Sequence, residues 1–135
     1  MSTLNNLVID GKSFAIQYVE TQTVKEGVEC DTYIFINDKT KDLAIVRVAK
    51  GSKTPFQKIL KGTKTIEGYR DGKGILTVTQ EDGTIRKFEY PGAPDNPVSL
   101  SVGQTMQWQA IEELTFYEIC EPPYEDGRFE NLPED

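Results

Sequence analysis

Three features of this sequence point to an all-β chain, closed into a jelly-roll sandwich or a small barrel. Short stretches of β-branched and aromatic residues recur at fairly even intervals, and no long segment carries helical spacing. Gly, Pro, Asn and Asp punctuate those stretches. About ten strands in so short a chain favour a closed or two-sheet arrangement, because both limit exposed sheet edges. The candidate strands in order are residues 13–19, 32–37, 42–49, 56–60, 63–70, 74–80, 84–90, 98–102, 104–111 and 114–120. The second and third carry the apolar runs 33–36 and 43–46, with the turn Asn37-Asp38-Lys39-Thr40-Lys41 between them. Asp71-Gly72-Lys73-Gly74 reads as the turn that separates the fifth from the sixth. Glu81-Asp82-Gly83 reads as a hairpin, since aspartate followed by glycine suits a two-residue turn that needs positive φ. Pro91-Gly92-Ala93-Pro94-Asp95-Asn96-Pro97 interrupts pairing before the last three strands.

Composition sets limits on function. The chain has 135 residues, 37% of them hydrophobic, which suits one domain with a modest core. It contains no histidine, so Ser-His and Cys-His nucleophile pairs, histidine metal ligands and an imidazole base are excluded. A net charge of −7 argues against a nucleic-acid partner. No apolar run approaches the length of a membrane span, and Met1-Ser2-Thr3-Leu4-Asn5-Asn6 shows no export signal, so a cytoplasmic location is expected. Cys30 and Cys120 lack a ligand spacing and read as free thiols.

Residues 1–120 read as one barrel domain and 121–135 as an acidic, proline-rich tail, packed on the barrel or on a partner and anchored by Tyr124, Phe129 and Leu132. Arg128 stands there among Glu121, Glu125, Asp126, Glu130, Glu134 and Asp135. Two readings of residues 122–129 stand side by side: a packing clasp, or a flap whose Arg128 reaches a ligand carboxylate. Residues 43–66 hold Arg47, Lys50, Lys53, Lys58, Lys61 and Lys64 without an acid. That stretch is a solvated strand face, an anion-attracting rim, or a docking surface for the acidic tail.

Gly51, Pro55, Gln57, Ile59, Thr65, Gly72 and Gly74 keep the intervals of the first cupin motif, and Gly103, Met106 and Pro122 approximate the second. The chain thus resembles the cupin superfamily, small single-domain jelly-roll barrels, over roughly residues 43–123. The resemblance implies a barrel with an internal pocket. Its metal ligands would fall on Gln57, Ile59, Thr65 and Met106, an amide, an alkyl group, a hydroxyl and a thioether. Those are poor donors for the transition metals that cupins hold, so a metal-free relative without a cofactor is expected.

Strand alternation puts Thr65, Glu67 and Tyr69 on one face, Gln57 and Ile59 on another, and Met106, Trp108 and Ala110 on a third. If these faces share the barrel interior, burial raises the Glu67 pKa, and Glu67 with Tyr69 becomes a candidate acid–base pair. The opposite register, a wet position or a lysine partner would make Glu67 structural. Trp108 is either core or a platform for a sugar ring, with Gln57 and Gln107 or Gln109 as amide partners. Glu118 either faces solvent or is a second pocket acid that converges with Glu67. Cys120 has no neighbouring base and reads as inert.

Three functions fit these expectations. The first is a barrel that binds a small polar molecule, a sugar or a small carboxylic acid. The second is a cofactor-independent sugar isomerase, epimerase or lyase that uses Glu67. The third is a noncatalytic scaffold that pairs as a homodimer, its interior filled by side chains.

Overall fold

Antiparallel pairing organises all ten strands found among the described residues, 4–133, of the computed structural model. Met1, Ser2 and Thr3 of the N-terminus and Glu134 and Asp135 of the tail lie outside the described residues. The strands are β1 (Asn6–Ile9), β2 (Lys12–Lys25), β3 (Val28–Phe35), β4 (Asp38–Val48) and β5 (Gln57–Ile59). They continue with β6 (Lys64–Thr79), β7 (Ile85–Tyr90), β8 (Val98–Leu100), β9 (Thr105–Glu121) and β10 (Phe129–Asn131). Hydrogen bonding joins β1-β2-β3-β4-β9-β5-β10 in that order, and β6 joins β9 while carrying β7 and β8. The expected all-β jelly-roll barrel is the fold observed.

β9 is the spine of the molecule, because its alternation serves two cores at once. Met106, Trp108, Ala110, Leu114 and Phe116 face the barrel interior, with Val46, Val48, Leu76, Val78, Phe88 and Leu100 packed against them. Tyr117 and Ile119 point the other way, into a second cluster with Leu7, Ile16, Tyr33, Phe35, Leu43 and Ile45. The C-terminal half of β9 is therefore buried on both faces, whereas Gln109 in the N-terminal half is exposed. β4 alternates in step: Leu43 and Ile45 join the outer cluster, Val46 and Val48 the inner one.

Several elements differ from expectation. Residues 63–70 and 74–80 belong to one strand, β6, and residues 104–111 and 114–120 to one strand, β9. Asp71-Gly72-Lys73-Gly74 makes register shifts against β9 instead of a turn. Gly72 has φ +92°, and a Cβ there would lie 1.8 Å from the Glu113 carbonyl oxygen, so glycine permits the two backbones to approach. The shift also changes which side chains point inward: Thr65, Glu67 and Tyr69 before it, Leu76 and Val78 after it. At the tip of β6 and β7, Gln80 N donates to Thr84 O at 2.8 Å and Gly83 N to Gln80 O at 3.0 Å. That closes a loop of Glu81, Asp82 and Gly83 with positive φ at Gly83, one residue longer than expected. Asp38 to Lys41 lie within β4, which moves the expected turn back to Ile36 and Asn37.

The C-terminal segment returns to the barrel as β10, where Phe129, Glu130 and Asn131 pair Ile59, Lys58 and Gln57. One of the basic residues of 43–66 thus lies opposite a tail acid. Arg128 is 1% exposed. Its Nη1 donates to Pro122 O at 2.9 Å, and its Nη2 to Lys64 O at 2.7 Å and Thr65 Oγ1 at 3.1 Å. These bonds tie the tail to the start of β6 and correct the reading in which Arg128 reaches a ligand: both terminal nitrogens serve the protein's own oxygens, and Arg128 does not line the cavity described below.

Candidate functional site

Inside the barrel a cavity of about 530 Å³ runs between β3, β4 and β9 on one side and β5, β6 and β10 on the other. Val46, Met106, Trp108 and Phe116 supply apolar wall, and Gln22, Val24, Gln57, Tyr124 and Asn131 stand at the exposed end. Gln57 Nε2 donates to Asn131 Oδ1 at 3.1 Å across that rim.

Trp108 is held on several sides. The segment between β4 and β5 runs beside β9, so that Thr54 N donates to Trp108 O at 3.0 Å and Trp108 N donates to Thr54 Oγ1 at 2.9 Å. Its ring stacks on Phe116 at 4.5 Å and meets Tyr90 at 5.7 Å, and Tyr90 stacks on Tyr69 at 5.1 Å. A column of four rings therefore fills the barrel behind the cavity. The Trp108 Nε1–H points out of this column and donates to Glu67 Oε1 at 2.8 Å.

Glu67 is 1% exposed, and its cross-strand neighbour from β6 to β9 is Glu118. Both carboxyls line the cavity. Among the described residues Glu67 Oε2 has no hydrogen-bond donor. Two ionised carboxylates side by side in an apolar barrel repel, and neither can donate to the other. A single proton resolves both problems: one carboxyl donates to its neighbour, and the pair carries one negative charge instead of two. Burial, then the Glu118 charge and its hydrogen bond, push the Glu67 pKa well up, opposed only by the Trp108 bond. Glu118 is also pushed up by burial, although bonds from Glu67 and Cys120 favour its ionised form. Burial raises both carboxyls, so the proton belongs to the pair rather than to either residue.

Among the described residues neither acid forms a salt bridge, although the Arg128 charge favours the ionised form of Glu118. Cys120 Sγ donates weakly to Glu118 Oε1 at 3.7 Å. Asp42 accepts from Tyr124 N at 2.9 Å, and burial raises its pKa. Burial also raises the Cys30 thiol, to about 12, and the Cys120 thiol further still, so both remain protonated and poor nucleophiles.

Of the residues singled out from sequence, Glu67, Glu118, Trp108, Met106 and Gln57 line the cavity together. Three do not. Tyr69 ends the ring column and donates through its hydroxyl to Gly72 O at 2.7 Å, so Glu118 takes the place expected of it beside Glu67. Ile59 is fully buried in the inner core, paired with Phe129 across β5 and β10, and the Thr65 hydroxyl accepts from Arg128. Gln107 and Gln109 alternate away from the interior. Asp42, Cys30 and Tyr124 line the cavity without having been foreseen there; the apolar run after Asp42 was visible, its pairing with Cys120 was not.

No protein-family model matches the chain, and no curated protein does. Solved structures do match. Bacillus subtilis oxalate decarboxylase, in a study of its Mn(II) centers, aligns with 80% of this chain and 29% of its own, at 23% identity and a TM-score of 0.66. The formate complex of Lactobacillus farciminis oxalate decarboxylase aligns with 89% of this chain and 35% of its own, at 17% identity and a TM-score of 0.65. The chain therefore has the cupin barrel fold and spans only about a third of the length of these structures. The positions that the resemblance assigns to metal ligands do not suit manganese here. Gln57 and Met106 pair across β5 and β9, Ile59 and Thr65 do not line the cavity, and none of the four carries a carboxylate, imidazole or thiolate. Among the described residues no cluster of three or more Cys, Asp or Glu side chains is placed to hold a metal ion.

Proposed function

We propose that this chain binds a small polar molecule within its barrel, without a resident metal, and that the Glu67–Glu118 pair forms the floor of the site. The observation that carries the reading is the joint one of a cavity of about 530 Å³ and a carboxyl pair that lines it, Glu67 fully buried and Glu118 partly so. A pocket of that size, mostly apolar with a few convergent polar groups, is the usual form of a small-molecule site. The same cavity speaks against the scaffold reading, which needs a filled interior.

The test is a thermal-shift screen with sugars, sugar acids, amines and metal salts, followed by titration of the Trp108 fluorescence. Trp108 is the only tryptophan and lines the cavity, so an occupant of the site changes its emission. Saturable stabilisation together with a change in Trp108 emission is expected. Stabilisation by iron, manganese or zinc alone, or silence across the screen, would overturn the reading.

A second reading has its own observation. A carboxyl that holds a proton next to one that accepts it is a general acid beside a general base, as isomerases and lyases require. Here Glu67 and Glu118 would exchange the proton and Tyr69 would take no part. Its mark is exchange of ligand C–H protons with solvent deuterium, lost in Glu67→Gln and in Glu118→Gln.

A further inference from the structure

We infer that the occupant of this cavity carries a positive charge: a small organic ammonium with an apolar body, bound with its nitrogen at Glu67 and Glu118. The inference rests on the reading that the cavity is a binding site, and adds the chemical class of its ligand.

The sign of the charge follows from the lining. Asp42, Glu67 and Glu118 line the cavity, and among the described residues no lysine or arginine does. The nearest buried cation, Arg128, does not line the cavity, and its two terminal nitrogens donate to Pro122 O, Lys64 O and Thr65 Oγ1. A carboxylate ligand would add negative charge with no cation to meet it, at high cost in a poorly solvated interior. The oxalate decarboxylases that share the fold are thus no guide to the ligand of this chain.

The shape of the demand points the same way. Glu67 lines the cavity, and its Oε2 is fully buried without a hydrogen-bond donor among the described residues. The pair requires hydrogen with positive charge between or beside its oxygens; a proton supplies it in the free protein, and an ammonium N–H supplies it in a complex. Trp108 Nε1 fixes the other Glu67 oxygen, so the carboxyl is oriented before any ligand enters. The rings of Phe116, Tyr124 and Phe129 line the same space and offer the surface that alkylammonium groups favour.

Exchange of a proton for an ammonium makes binding proton-linked. The groups that face the pair are Asp42 on β4, Cys30 on β3, Trp108 and Cys120 on β9, and Arg128 behind Thr65. Burial keeps the thiols protonated, so the carboxyls are the groups that respond. Amine binding then releases protons, and affinity rises with pH until the amine itself loses its charge.

Calorimetric titration with cyclohexylamine, cyclohexanol and cyclohexanecarboxylate tests the inference on one apolar body with three head groups. The amine is expected to bind at least about ten-fold more tightly than either analogue. Proton release should show as a heat that depends on buffer ionisation enthalpy. In Glu118→Gln the preference for the amine should fall by about ten-fold, and the wild-type series stands as a test even if that variant does not fold. Equal or tighter binding of the alcohol or carboxylate overturns the ammonium assignment and leaves the binding reading intact. Failure of all three, with the wider screen silent, overturns both. Displacement of the amine by a divalent metal salt at equal concentration would overturn the assignment in favour of a metal site.

Discussion

Glu67 concentrates most of the chemistry in this molecule, and its costs are measurable. Its folded pKa stands above the unfolded reference of roughly 4.3, so the native state binds more protons than the unfolded chain between those two values. Stability therefore falls as pH rises from the unfolded pKa through the folded one, and is flat above it. Glu67→Gln keeps an acceptor for Trp108 and gives Glu118 a permanent N–H donor. Relative to wild type, the variant should gain stability as pH rises, by about 1.4 kcal/mol for each unit by which the pKa was raised. Urea midpoints measured across that pH range check this, and a pH-independent difference would contradict it. Trp108→Phe removes the donor to Glu67 Oε1, which should cost about 1–3 kcal/mol by urea denaturation followed by circular dichroism. The same change should raise the pair's pKa further, since the Trp108 bond favours the ionised form. Both residues were visible in sequence through alternation alone, which put Glu67 and Trp108 inside if the register held. Tyr69 shared that face and was expected beside Glu67. Alternation gives the side of a strand but not the depth along the barrel, and Tyr69 lies at the far end of the ring column.

At the scale of elements, the long strands β6 and β9 were each read as two, because glycines and acids at 71–74 and 111–113 look like turns when only neighbours are considered. Their pairing across the sheet turns those residues into bulges or strand interior instead. The loss of alternation at the bulge explains why residues 65–69 and 74–79 could not be placed on a common face from sequence. β10 was missed for a related reason: three residues with one aromatic make no strand signal, and β10 exists through β5 and the Arg128 anchor. Arg128→Met is therefore a test of an element. It removes the donors to Lys64 O, Pro122 O and Thr65 Oγ1 while keeping a long apolar stem. We expect a loss of about 2–4 kcal/mol, with hydrogen exchange accelerated first in β5 and β10 and last in the β6–β9 pair. Uniform acceleration through all strands would contradict the anchor role.

At the scale of the whole molecule, the all-β barrel follows from even strand spacing together with the resemblance, whereas the cavity was legible only as an implication of the fold. A small residue, Ala44, faces Glu118 across β4 and β9 and lines the cavity, and the ring column ends at Phe116. Ala44→Phe should occupy the cavity and abolish ligand-induced changes in Trp108 emission, while shifting the melting temperature by only a few degrees. Loss of cooperative folding in that variant would mean the space is not there to be filled. The claim on which the rest depends is that one proton is shared by two acids at the base of this cavity. Carbon-13 NMR of the Glu67 and Glu118 side-chain carboxyls through a pH titration addresses it directly. Glu67 should keep the chemical shift of a protonated acid well after the surface carboxylates have ionised, and Glu118→Gln should bring its transition down. If both carboxyls instead titrate near their reference value of roughly 4.3, the pair does not hold a proton and the account of the site fails.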